Sequence, residues 1–279
     1  MLQDRVAIVT GAGQGIGRAI VVELARAGAH VVASGRRLEP LEAVAGEARA
    51  LGRRALAVSC DVGVAAQVEH LVAETVREFG RVDLLVNNAG YRIRAPLDRL
   101  PRAEWDAMIT TNLTGVFLCC QAAGRVMIAQ RAGKIVNITS VAGRAALPFM
   151  GPYAASKFGL EAISDSLRRE LIPVGVKVVV IEPASFQSRI WNKVEEMDLS
   201  RYRGTPYERV MERVRQGALM AAEHAPPPDK VVSAVERALT ARRPPIRVVV
   251  APRFMTRVWL WLPDRWLDWV IARGWRKRR

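Results

Sequence analysis

Seven short runs of β-branched and small apolar residues recur along the chain, with longer stretches of helical periodicity between most of them. The runs are "RVAIVT" (5–10), "HVVAS" (30–34), "ALAVSCDV" (55–62), "VDLLVNNAG" (82–90), "KIVNITS" (134–140), "VKVVVIEP" (176–183) and "IRVVVAP" (246–252). Strands that are apolar on both sides must be covered on both faces, which is the pattern of parallel strands joined by helical crossovers. The expected fold is therefore α/β: a doubly wound, parallel, seven-stranded sheet with helices on both faces. Helices are expected from Gly15 to Ala27, through "LEPLEAVAGEARAL", up to Phe79, and over 102–130, 153–171 and 229–242. The β/α rhythm gives one domain, 1–252, with an irregular insert at 185–227 suited to a substrate lid. A tail, 253–279, follows the last strand.

Composition narrows the class. Half of the residues are hydrophobic, enough for a sizeable core, and the net charge is +15, from 42 Lys+Arg against 27 Asp+Glu. Such a surface attracts anions without specifying which. No nucleic-acid module is recognisable. The three cysteines, Cys60, Cys119 and Cys120, form no CxxC pair and read as small buried residues. The three histidines have no metal-ligand spacing, so no metal site is expected. The N-terminus enters a strand-like run at once, without the pattern of a signal peptide. The uncharged window 107–124 is polar enough to argue against a membrane span. The expected location is cytoplasmic.

The turn "TGAGQGIG" (10–17) joins the first strand to the first helix. Gly11, Gly15 and Gly17 allow close backbone approach, and a helix N-terminus offers N–H groups to a phosphate. This makes the sheet Rossmann-like and points to a nucleotide. After the second strand, where an acid would hold a ribose 2′-hydroxyl, the chain reads "ASGRRL". Gly35 stands in the acid's place, followed by Arg36 and Arg37, a fork suited to a 2′-phosphate. The expected cofactor is NADP(H), with NAD the lesser candidate.

In "PYAASKFG" (152–159), Tyr153 precedes Lys157 by one helical turn. An ammonium about 4 Å from a phenol, at a dielectric of about 20, favours the phenolate by about 4 kcal/mol. That corresponds to about 3 pKa units, enough to tune a proton donor. Ser140 lies just past the fifth strand and Asn112 sits in "TTNLTGVF".

Together, "TGAGQGIG", "DV" (61–62), "NNAG" (87–90), Asn112, Ser140 and Tyr153 with Lys157 resemble the short-chain dehydrogenase/reductase family, over residues 1 to about 190. The resemblance implies hydride exchange between a nicotinamide and a secondary alcohol or ketone. Tyr153 would be the acid/base. Lys157 would lower its pKa and hold the nicotinamide ribose, Ser140 would bond the reacting oxygen, and Asn112 would position a relay water. Gly11, Gln14, Gly15, Ile16 and Gly17 would hold phosphate. Asp61 and Val62 would flank adenine, and Asn87, Asn88, Ala89 and Gly90 would line the cofactor, with Pro183 and Ser188 near the carboxamide. Ala184 departs from the glycine common in the family. A homodimer or homotetramer through 103–130 and 153–171 is implied.

The expected substrate is a lipophilic small molecule, steroid-, retinoid- or acyl-like, against Leu147, Phe149, Met150, Phe186 and Trp191. Arg92 and Arg94 in "YRIRAPL" are either rim charges or partners of an acidic group. A catalytically silent nucleotide sensor or membrane-surface protein on the same fold is the alternative function. The tail holds five of seven tryptophans and a local charge of +6. Leu262, Trp266, Trp269 and Val270 are expected on one helical face, opposite Asp264, Arg265 and Asp268. Segment 254–279 then either contacts the inner membrane face or packs on protein.

Overall fold

The computed structural model describes residues 2–187, 194, 196–251 and 263–276. Its strands are β1 (Val6–Thr10), β2 (His30–Gly35), β3 (Ala55–Ser59), β4 (Leu84–Asn87), β5 (Gly133–Ile138), β6 (Val176–Pro183) and β7 (Arg247–Val250). They form one sheet in the order β3-β2-β1-β4-β5-β6-β7, every pairing parallel. The helices are α1 (Gly15–Arg26), α2 (Leu38–Ala50), α3 (Ala65–Phe79), α4 (Arg102–Ile109), α5 (Gly115–Gln130), α6 (Gly151–Leu171), α7 (Glu208–Glu223), α8 (Asp229–Thr240) and α9 (Asp264–Arg276).

Strand alternation divides the core. Ala7, Val9, Val31, Ala33, Leu84 and Val86 face one layer with Ile20, Leu24, Leu41, Val44, Val235 and Leu239, from α1, α2 and α8. Ile8, Val32 and Leu85 face the other, with Val68, Leu71, Val116, Met127 and Leu160, from α3, α5 and α6. Both layers are apolar, so the strands need no polar face. The chain reverses its winding between β1 and β4, which opens a crevice beyond the C-terminal strand ends.

Several expectations are corrected. The 102–130 region is not one regular helix: a π-turn, Thr110–Thr114, separates α4 from α5 and carries buried Asn112. The run Arg102–Gln130 is in fact long and apolar enough to cross a membrane, but half of its most apolar window is buried in the fold. It is a core element. β3 stops at Ser59, so Asp61 lies in the turn beyond it.

The described part of the tail is α9. In α9, Leu267 is buried whereas Trp266 and Trp269 stay 63% and 57% exposed. Arg273 lies over the Trp269 ring, 5.0 Å from its centroid. The helix turns Leu267 inward and keeps Trp266 and Trp269, one turn apart, on its outer side. Leu262 lies outside the described residues. Phe117 and Ile128 on α5 and Phe158 on α6 remain exposed, on the helices where subunit contacts are expected. All three cysteines are buried, and burial raises their thiol pKa values.

Candidate active site

A crevice of about 790 Å³ runs across the β1/β4 switch point. Its floor is the glycine turn. Gly11 and Gly15 hold φ of +65° and +54°. A Cβ on Gly17 would stand 2.2 Å from the Gly11 carbonyl and 2.6 Å from the Asn88 amide nitrogen. Only glycine permits this contact. It brings the α1 N-terminus against the turn, leaving a cradle of backbone N–H groups that fits a pyrophosphate.

Thr10 ties the turn to the next strand. Its hydroxyl accepts hydrogen bonds from the N–H groups of Asn88 (3.0 Å) and Ala89 (3.1 Å). The Asn88 side chain donates back to the carbonyls of Thr10 and Gly11. Gly11, Gln14, Gly15, Ile16, Gly17, Arg36, Arg37, Asp61, Val62, Asn88, Ala89 and Gly90 all line the crevice, as does Pro183. Asn87 does not: it is buried, donating to the Asn137 side chain at 2.9 Å, and that residue donates to the Ser164 hydroxyl at 2.8 Å. This polar chain joins β4, β5 and α6. Arg37 donates to the Gln14 side chain at 3.4 Å, and Asp61 accepts from the Gly63 N–H at 2.9 Å. Pro40 and Leu41 also line the crevice. They went unread in the sequence, although "RRLEPL" places them within the first turn and a half of α2.

At the other end, Ser140, Tyr153 and Lys157 share the crevice wall. The Ser140 hydroxyl accepts from the Ala142 N–H at 3.1 Å, which caps a short turn and fixes the side chain. Lys157 is 5% exposed and donates to the Ile138 carbonyl at 2.9 Å. Its nitrogen is 5.8 Å from the Tyr153 ring centroid. Burial pushes the lysine down to about 8, Glu161 opposing. Burial also raises the Tyr153 phenol, while the Ser140 hydrogen bond and the Arg92 charge pull it back. The Lys157 ammonium reaches past the ring to β5, and the Arg92 charge also acts on the phenol.

Asn112 is fully buried and outside the crevice lining. It accepts from the Tyr91 N–H at 3.0 Å and donates to the Tyr91 carbonyl at 2.8 Å. Its amide holds the loop after β4. Phe149 is also misassigned: it adopts φ +64° and turns its ring edge-on to Tyr207, 6.4 Å between centroids, away from the crevice. Leu147, Met150 and Phe186 do line it. Ser188 and Trp191 lie outside the described residues. Ala184 holds a negative φ and donates to the Val250 carbonyl at 2.9 Å, so alanine is unstrained there.

A buried cluster stands behind this wall. Fully buried Glu182 is pushed up to about 7 by burial and by Glu161, against Arg144 and Arg247. Arg247 bridges Glu182 (2.8 Å) and Glu161 (2.7 Å), linking β6, β7 and α6. Among the described residues no group of metal ligands forms.

A family model described as short chain dehydrogenase matches residues 5–199. A 3-oxoacyl-(acyl-carrier-protein) reductase of Synechocystis sp. is 40% identical over 183 residues, 65% of this chain and 74% of the relative. The solved short-chain dehydrogenase/reductase of Burkholderia phymatum, in complex with NAD, superposes with a TM-score of 0.81 at 27% identity, covering 92% of each chain. A metagenomic short-chain oxidoreductase in complex with NADP gives 0.73 at 31% identity, covering 91% of this chain and all of the other.

The buried lysine gives a stability prediction. Its pKa falls from 10.5 unfolded to about 8 folded. Below about pH 8 both states are protonated and the burial penalty is full; between about 8 and 10.5 the unfolded chain binds more protons, so stability rises with pH. Urea unfolding of the protein and of Lys157→Met should show the wild type gaining about 3 kcal/mol relative to the variant across that window. A pH-independent difference contradicts the burial of a charged lysine.

Proposed function

Because this chain belongs to the short-chain dehydrogenase family, we propose that it interconverts a secondary alcohol and a ketone with NADP(H), using Tyr153 as acid/base. At the coarser level it is an oxidoreductase of CH–OH groups that uses a nicotinamide cofactor. The observation that carries the finer reading is convergence. A glycine cradle, the arginine pair Arg36 and Arg37, and the Ser140–Tyr153–Lys157 wall open into one crevice.

The cradle of Gly11, Gln14, Gly15, Ile16 and Gly17 would take the pyrophosphate. Arg36 and Arg37 would take a 2′-phosphate, and Asp61, Val62, Asn88, Ala89, Gly90 and Pro183 would border the rings. When bound, reduced nicotinamide supplies the hydride that the carbonyl carbon receives. Tyr153 gives its phenolic proton to the carbonyl oxygen, and the Ser140 hydroxyl donates a hydrogen bond to that oxygen. Burial keeps the phenol protonated at neutral pH, the form that carbonyl reduction needs. In the oxidation direction the Tyr153 phenolate accepts the alcohol proton, so alkaline pH favours it. Lys157 anchors the wall and lies beside the space for the adjoining ribose. Asn112 serves by clamping the loop 90–91. Leu147, Met150 and Phe186 offer an apolar wall to a lipophilic substrate body.

Two experiments test this reading. Tyr153→Phe should lower the rate of NADPH-dependent ketone reduction by about 10²-fold or more while leaving the NADPH Kd unchanged; full activity in the variant removes Tyr153 as the acid. In fluorescence titration NADPH should bind more tightly than NADH, and replacing Arg36 and Arg37 with alanine should erase the difference, since the fork's charge-assisted bonds are lost. Tighter NADH binding by the wild type contradicts the assignment.

A further inference from the structure

Behind the Ser140–Tyr153–Lys157 wall lies a cluster of charges, Arg144, Glu161, Glu182 and Arg247, none of which lines the crevice. Its centre is Glu182 on β6, which is fully buried. Arg247 from β7 brings its Nε to 2.8 Å from one carboxylate oxygen, and Arg144 brings its Nη1 to 3.8 Å from the other. Arg247 also donates to Glu161 of α6, at 2.7 and 3.0 Å, and stands 3.6 Å from Asp165, one turn further on. Asp165 in turn meets Arg168 and Arg169. Lys157, one turn before Glu161, feels that carboxylate from the crevice side.

Two routes lead from Glu182 to the reacting hydroxyl. The carbonyl of Pro183, the next residue, accepts a hydrogen bond from the Ser140 hydroxyl at 3.4 Å. Arg144 closes the turn that begins at Ser140: the Gly143 N–H donates to the Ser140 carbonyl at 2.8 Å, and the Arg144 N–H to the Val141 carbonyl at 3.1 Å. The turn is pressed on α6, where a Cβ on Gly143 would lie 3.2 Å from the Cγ of Glu161. The cluster therefore ties together the strand end, the turn and the helix that set Ser140 against Tyr153. Apolar residues of similar size would fill the same space at less cost in desolvation. A costly charge cluster beside reacting groups points to a role in the reaction.

We propose that Glu182 is a positioning residue: its ionised carboxylate draws Arg144 and Arg247 to one point and so holds the Ser140 turn in the reactive arrangement. This rests on the oxidoreductase reading of the crevice and adds the group that sets its acid limb. Protonated Glu182 keeps its shape but loses its pull on both guanidinium groups, leaving the turn to its backbone bonds. Neither Glu182 oxygen completes a hydrogen bond among the described residues, so its ionisation is poorly compensated. Burial and the facing Glu161 push the carboxyl up to about 7, against Arg144 and Arg247. The clamp is therefore set above about pH 7 and released below it.

The test reads activity, cofactor binding and backbone exchange on the full chain. In NADPH-dependent ketone reduction, wild-type kcat should rise about tenfold between about pH 5.5 and 7.5, a window that ends below the Lys157 transition at about 8. Glu182→Gln, a neutral isostere, should stay at the low rate throughout, with the NADPH Kd unchanged as the control for folding. Arg144→Gln, whose parent side chain is 31% exposed, should lose most of the limb, and Arg144→Lys should keep most of it. If Glu182→Gln fails to bind NADPH, the Arg144 variants carry the same comparison. A wild-type limb and rate in Glu182→Gln, or in Arg144→Gln, overturns the positioning role and leaves the Tyr153 chemistry standing. A protein that reduces no ketone overturns the reaction, and exchange then decides alone. Amide exchange of peptides spanning 139–146, corrected for the intrinsic rate, should show protection rising about tenfold through pH 7 in the wild type, and no such rise in Glu182→Gln. Protection that ignores Glu182 overturns the clamp.

Discussion

The hydrogen bond from the Lys157 ammonium to the Ile138 carbonyl holds the reacting wall together. It joins α6 to the last residue of β5, inside the fold. Tyr153 stands one helical turn before that lysine, and Ser140 two residues beyond that carbonyl. Fixing the one contact therefore fixes the phenol against the hydroxyl. Gly143 reinforces it, since a Cβ there would lie 3.1 Å from the Lys157 carbonyl oxygen, tight against α6. Burial makes the arrangement electrostatically expensive, which is why the lysine is held near 8 and the phenol above its usual value. Strain of this kind is typical of reacting groups. Behind the wall, Arg247 neutralises two carboxylates that would otherwise repel each other between β6 and α6.

Much of this was legible in the residues. Continuous apolar strands and a glycine turn follow directly from burial on both faces and from close backbone approach. So the sheet and the cradle could be read, and with them the crevice between β1 and β4. What could not be read depends on contacts between segments distant in sequence. The π-turn at 110–114 leaves no local signature, because its buried Asn112 is set by the Tyr91 backbone. Phe149 looked like a pocket residue by proximity, but its positive φ turns it to Tyr207 in the insert. The bond from Lys157 to the Ile138 carbonyl could not be read because sequence spacing gives the distance along a helix, not the direction in which a long side chain reaches.

Charge is distributed along the crevice in a way that suits the reading. Arg36, Arg37, Arg92 and Arg94 line the crevice together with the apolar Leu147, Met150 and Phe186. The large positive net charge of the chain draws anions to this opening generally.

The most direct measurement is a crystal structure with NADP+ bound. The account requires the nicotinamide ring beside Tyr153 and Ser140, its ribose near Lys157, and the adenosine 2′-phosphate on Arg36 and Arg37. A nicotinamide directed away from Tyr153, or a nucleotide that binds outside the Gly11–Gly17 cradle, contradicts it.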